Sequence, residues 1–201
     1  MILKNFNEAK KLIQEGDVLL FRGRSFFSHL IKTGSQGYHS HVGLASWVKN
    51  GESILECIEF VETKGGRAVN LQTQLNVPID IYRAVPEFQT LALENGKVIF
   101  TDHKFNGRAI TDCMRKHTGL PYGWWRILWL LQFHIIGFRL FANGSSFNDD
   151  LENLIYPVCS TAVSHCFHKN YVDLTHNRSN ARMEPADVAR SPLLNYLFTI
   201  Q

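Results

Sequence analysis

Two residue types that can carry acyl-transfer chemistry stand far apart in this chain: a cysteine in YPVCSTAV, Cys159, and a histidine in SHVGLAS, His41. YPVCSTAVSHCFHKN reads as a helix beginning near Pro157, because proline is favoured in a helix's first turn. Cys159 then falls in that turn. The unpaired N–H groups and the helix dipole there favour an anion, so the position suits a thiolate. A thiolate is a strong nucleophile, and the same N–H groups can hold an oxyanion. The other three cysteines lack this setting. Cys166 comes one heptad later, on the packed side of the same helix. Cys57 lies inside a strand and Cys113 inside a helix. The alternative for Cys159 is that of most free cysteines, a small buried hydrophobe.

A nucleophilic cysteine needs a base. On a strand, His41, Gly43 and Ala45 share one face, while Val42 and Leu44 share the other. Small residues beside a histidine suit close packing by a helix, or a cleft that admits a substrate. A hydrogen-bonded structural histidine is the competing reading. His39-x-His41 could also chelate zinc from one strand face, although spacing offers no evident third ligand. In the next strand Ile54, Glu56, Ile58 and Phe60 share a face, and Glu56 is its polar exception. A carboxylate there needs a partner. An imidazolium is a fitting one, since a carboxylate can fix a histidine's tautomer and orientation. The simplest hairpin, with Asn50-Gly51 central, sets Glu56 opposite Ala45, roughly 13 Å along the strand from His41. A bulge or shifted register must then bring it closer. Glu59 is nearer in that register but is expected on the other face.

The elements that must position these residues follow from periodicity. Residues 6–15 read as an amphipathic helix with Phe6, Ala9, Leu12 and Ile13 on one side, ended by Gly16. Residues 17–22 read as a buried strand, and Ser25 caps a helix through about Lys32. Strands over 40–48 and 53–61 flank Lys49-Asn50-Gly51-Glu52, where Asn-Gly signals a hairpin. Residues 79–85 form a further strand, and Asn95-Gly96 turns a hairpin between Leu91 and Phe100. Residues 105–117 look helical. Residues 124–142 are the most apolar segment, read as a buried or membrane-surface helix because Arg126, Gln132, His134 and Arg139 interrupt it. Residues 143–150 read as a loop, and MEPADVARSPLLNYLF as short helical turns.

The 201 residues fit one domain, 1–201, with a core of its own; 124–142 is a candidate helical elaboration. At 45% hydrophobic and 19% charged, the composition is that of a folded globular protein. A net charge of +3 without a Lys/Arg run gives no basis for nucleic-acid binding. The N-terminus lacks the apolar core and cleavage site of a signal peptide, so the sequence reads as cytoplasmic, with phage, virion or peripheral membrane association as alternatives. The four cysteines form no CxxC or zinc-finger spacing and are expected as free thiols in a reducing compartment.

GDVLLFRG, SHVGLAS, ILECIEF, GLPYGWW, YPVCSTAV and EPADVARSPLL occur in this order. Taken together, they resemble the circularly permuted branch of the NlpC-type papain-like cysteine hydrolases, the YiiX-like proteins, related more distantly to the lecithin:retinol acyltransferase group. The resemblance spans about Gly16 to Leu194. It implies an α+β fold of the permuted papain-like kind: an antiparallel sheet or small barrel packed against helices, with the nucleophile at a helix N-terminus. Histidine strand first and cysteine helix last is the permuted order. By position, Cys159 corresponds to the nucleophile, His41 to the general base and Glu56 to the residue orienting it. Tyr156 corresponds to a tyrosine that helps shape the oxyanion site. The implied function is cysteine-dependent acyl hydrolysis through a thioester, on a small amide or isopeptide bond, with no metal or organic cofactor. Two alternatives stand beside it: a lipid-directed ester hydrolase or acyltransferase meeting a membrane surface through 124–142, and a non-catalytic binding protein that keeps the fold. The expected partner is a small-molecule, peptide or lipid-like acyl substrate.

Overall fold

The computed structural model describes residues 2–23, 37–50, 52–94, 97–123, 157–175 and 180–201. The expected helix from Ser25 to about Lys32, the apolar segment 124–142, the loop 143–150 and Tyr156 lie outside these residues.

The architecture is mixed α+β, built on a mostly antiparallel sheet. Strands β1 (Leu3–Lys4), β2 (Val18–Phe21), β3 (His41–Asn50), β4 (Glu52–Val61), β5 (Gly65–Asn70), β6 (Ile79–Ala84) and β9 (Leu194–Ile200) form it in the order β1-β9-β6-β2-β3-β4-β5. β1 runs parallel to β9 and the other pairs are antiparallel. Strands β7 (Glu87–Glu94) and β8 (Lys97–Lys104) form a separate two-stranded ribbon. The helices are α1 (Phe6–Lys10), α2 (Gly107–Lys116), α3 (Cys159–His168) and the short α4 (Pro185–Ala189).

The strand and hairpin expectations hold for β2, β3, β4, β6 and the β7–β8 ribbon, with ends moved by a few residues. Two expectations need correction. The helix expected over 6–15 ends after Lys10, with Asn5 capping it by accepting from the Glu8 N–H. Ile13 is still buried, in the turn that follows. The short helical turns expected for the tail are limited to α4; after it the chain runs as β9 beside β6, where apolar Leu194, Phe198 and Ile200 are buried. β5 has no strand-like apolar alternation; Gly65 and Gly66 open it, and pairing with β4 defines it.

Two apolar layers flank the sheet. Val18, Leu20, Val42, Leu44, Ile58 and Phe60 pack with Ile110 and Met114 of α2 and with Ala162, Val163, Cys166 and Phe167 of α3. Leu19, Ala45, Leu55, Cys57, Ile79 and Ile81 pack with Ala9 of α1. Helix α3 is the central helix, buried from Cys159 through Phe167. Each large apolar side chain buried here contributes about 1.5–3 kcal/mol, which holds the N-terminus of α3 in a fixed place against the sheet. The hydroxyls of α3 are satisfied: Ser160 donates to the Met183 carbonyl oxygen at 2.6 Å, and Ser164 donates to Asn180.

Gly43 fits where no side chain can. A Cβ there would lie 2.6 Å from the Cys57 sulfur and 3.3 Å from the Glu59 Cβ. Gly43→Ala is therefore expected to destabilise the fold by about 1–3 kcal/mol, the usual cost of overpacking. A urea-unfolding midpoint equal to wild type would refute this account of β3–β4 packing.

Candidate active site

The β3–β4 register decides which carboxylate meets which histidine. Asn50 pairs with Glu52, Ser46 with Glu56, and Gly43 with Glu59. This is one residue away from the register expected for an Asn50-Gly51 turn. A one-residue slip exchanges the faces of a strand. Glu59 therefore comes onto the His41 face, and Glu56 leaves it.

His41 stands at the first residue of β3. Its Nε2 hydrogen-bonds Glu59 Oε2 at 2.7 Å. The opposite carboxylate oxygen, Glu59 Oε1, accepts from Arg67 Nε at 2.9 Å and from Arg67 Nη2 at 2.6 Å. The Glu59 side chain is only 2% exposed. Burial alone would raise its pKa, but the hydrogen bonds and charges of His41 and Arg67 outweigh burial and lower it. Glu59 is thus a buried carboxylate kept ionised between two cationic donors.

The other neighbour of His41 is the sulfur of Cys159, near enough to act on the imidazole's charge. With Nε2 held by Glu59, Nδ1 is the nitrogen left for that sulfur. Burial pushes His41 down, yet the charge and hydrogen bond of Cys159, and then those of Glu59, push it up to about 10 from an ordinary 6.5. The imidazolium is therefore the resting form at neutral pH. Because the folded value lies above the unfolded one, the stability this site contributes is complete below 6.5 and is lost as pH rises toward about 10. Urea midpoints measured between those limits should fall with pH, and Cys159→Ala should flatten the fall.

Cys159 is the first residue of α3, 4% exposed and not disulfide-bonded. The N-cap residue, Val158, has no side-chain acceptor, so no residue side chain at that position competes for the first-turn N–H groups. Tyr122 lies close enough to Cys159 to feel its charge. Burial first, then the charges of Cys159 and Glu62, raise this phenol well above its ordinary pKa and keep it protonated. The turn carrying Tyr122 is fixed at both ends. Gly66 N–H donates to the Leu120 carbonyl oxygen at 2.9 Å, and Gly123 N–H donates to the Pro157 carbonyl oxygen at 3.0 Å. Gly65, at φ +66°, lies where a Cβ would come 2.1 Å from the Leu120 oxygen. Only glycine lets this turn sit on β5.

The structure brings Cys159 and His41 together, and it leaves Glu56 elsewhere. Glu56 accepts from Arg115 Nη2 at 2.9 Å, and Arg115 also donates to Ser46 Oγ. Sequence reasoning set Glu59 on the wrong face and missed Arg67 and Tyr122 as neighbours of the site. A register one residue off hid Glu59, and Arg67 lies on the unanticipated β5. Tyr122 did stand within a quoted motif, GLPYGWW. His39 serves a different cluster. Its Nε2 hydrogen-bonds Asp80 Oδ2 at 2.6 Å, and Arg22 Nε donates to the same carboxylate at 2.7 Å. The two histidines thus hold separate carboxylates, which leaves the His39-x-His41 chelate without support. Of the four cysteines expected as free thiols, Cys113 and Cys166 are instead joined across α2 and α3 as a disulfide. Facing positions on packed helices allow this without any CxxC spacing.

No family model and no curated protein matches this chain. Among solved structures it is similar to the crystal structure of the metalloprotein YiiX from Escherichia coli O157:H7. The TM-score is 0.57 at 14% identity, covering 92% of this chain and 96% of that one. The fold is YiiX-like. Among the described residues, no helix is long and apolar enough to cross a membrane.

Proposed function

We propose that this YiiX-like chain is a cysteine-dependent acyl hydrolase of the permuted papain-like kind. The observation that carries the reading is the His41 imidazole bonded to the Glu59 carboxylate and placed near the Cys159 sulfur, at the N-terminus of a buried helix. Cys159 is the nucleophile, His41 the acid and base, and Glu59 the group that orients His41. In this reading Glu59 takes the role expected of Glu56.

The Cys159 thiolate attacks a carbonyl carbon and a C–S bond forms. The Cys159 N–H and the Tyr122 hydroxyl stabilise the oxyanion, and Tyr156 retains the same proposed role. The His41 imidazolium gives its proton to the leaving nitrogen as the C–N bond breaks, leaving a thioester. Neutral His41 then takes a proton from water, whose oxygen attacks the thioester. The C–S bond breaks, the acid departs and the thiolate returns. YiiX is described as a metalloprotein; the steps proposed here are complete with this chain's own residues.

An iodoacetamide probe tests the reading. At neutral pH, Cys159 should be alkylated at least tenfold faster than Cys57, a buried thiol that its surroundings hold protonated by burial first and then by the Glu59 charge. Equal slow labelling would favour the non-catalytic alternative.

A specific observation also favours a lipid-like acyl substrate for the same chemistry. In the β7–β8 ribbon Leu91 pairs with Phe100 and Leu93 with Val98, which sets all four on one face. They are 64%, 62%, 71% and 53% exposed, respectively. Such an apolar face suits an acyl-chain surface. If that is its use, Leu91→Ser with Phe100→Ser should abolish liposome binding; liposome binding that persists in the double variant, or is absent in wild type, would return the reading to a small amide.

A further inference from the structure

A second sulfur and imidazole cluster sits between α2 and α3, and acyl transfer makes no use of it. Cys113 and His117 are one helical turn apart at the C-terminal end of α2, and Cys166 faces them from α3. One ligand atom from each, two sulfurs and an imidazole nitrogen, lie within 4.8 Å of one another. Cys166 is fully buried and the other two are half-buried. His117 Nδ1 lies 2.8 Å from the Cys113 carbonyl oxygen. A carbonyl only accepts, so Nδ1 carries the proton and the lone pair belongs to Nε2. That is how a supporting hydrogen bond prepares an imidazole for a metal ion. His165 sets its ring edge-on to His117, with centroids 5.5 Å apart.

The disulfide between Cys113 and Cys166 accounts for the two sulfurs. It does not account for an imidazole held beside both with its tautomer fixed. We propose that the reduced cluster is a zinc site. The Cys113 and Cys166 thiolates and His117 Nε2 are its ligands, and a fourth position is left to an exchangeable ligand. Two soft thiolates and one imidazole are a donor set that suits zinc, and both thiols lose their protons on binding. The oxidised pair cannot ligate in this way. A phosphine with water opens it to two thiols, and the phosphine leaves as its oxide. Cys166 is seven residues from Cys159, about 10 Å along the helix axis. The ion therefore braces α2 against α3 and does not touch the nucleophile, so the proposal rests on no part of the acyl-transfer reading.

The test uses the full chain, reduced with a phosphine and checked for native circular dichroism. One equivalent of zinc should be retained after desalting. Cobalt(II) should bind at one equivalent with a thiolate-to-cobalt charge-transfer band in the near ultraviolet. Cys113→Ser, Cys166→Ser and His117→Ala should each weaken cobalt binding by more than about a hundredfold, beyond the 10–100-fold lost when only a supporting hydrogen bond is removed. Cys159→Ser and Cys57→Ser should leave the band intact. Failure of the folded, reduced wild type to bind either ion would overturn the proposal even if a variant does not fold. A band that survives Cys113→Ser, or that disappears with Cys159→Ser, would overturn it as well.

Discussion

Cys159→Ala should remove acyl hydrolysis, with a rate loss on the order of 10⁴-fold or more, because no other group in the site can form the thioester. The same substitution should lower the pKa of His41, which stands at about 10 chiefly because the Cys159 charge and hydrogen bond overcome burial. A side-chain NMR titration of His41 in wild type and variant reads this directly. In wild type the imidazolium should persist to about pH 10; in Cys159→Ala it should titrate at distinctly lower pH, with Glu59 still supporting it. An unchanged titration would mean that the sulfur and the ring do not share a proton, and the mechanism would lose its first step. A smaller methyl in place of the thiol removes little volume at a buried position, so the fold should survive for the comparison.

The contrast between Glu59→Gln and Glu56→Gln is the second large effect. Glu59 is the carboxylate bonded to His41 and to Arg67, with a side chain 2% exposed. A glutamine keeps the shape but removes the charge and can turn its amide donor toward the ring. The proportional loss in kcat should lie between about 10² and 10⁴. The alkaline limb of the rate profile should also move to lower pH, because the imidazolium loses one of the charges that sustain it. A merely structural role for Glu59 would lower stability and leave that limb in place. Glu56 pairs with Arg115, whose side chain is 35% exposed. A pair this open to solvent contributes about 0–1 kcal/mol, so Glu56→Gln should keep activity within about twofold. If the order of the two variants is reversed, Glu59 is not the orienting residue.

How far these residues could be read in advance depends on the range of the interaction involved. SHVGLAS and ILECIEF carry their strand periodicity locally, so β3 and β4 and the hairpin between them are visible in the chain. So is the place of Cys159 near a helix start, because an apolar helical run cannot extend back through Pro157, which lies just before the N-cap Val158. The ordered motifs also carried the likeness to a YiiX-like fold, since six short segments retain their order even at low identity.

Tertiary structure decided the rest. Whether Glu56 or Glu59 meets His41 depends on one residue of register, and Asn50-Gly51 specifies a turn without specifying which residue pairs across it. The register is set by what the two faces bury: Leu44 and Ile58 under α3, Ala45 and Cys57 toward α1, and no room for a Cβ at Gly43. Arg67 and Tyr122 come to the site only because a Gly65-Gly66 strand accepts the turn at 119–123, a contact between segments far apart in sequence. Cys113, His117 and Cys166 form no recognisable motif along the chain; they meet because the amphipathic α2 packs on the buried α3 with those positions facing. Periodicity and capping are properties of a few neighbouring residues, and the chain alone determines them. Which charge neutralises which, and which sulfur lies beside which ring, are properties of packing.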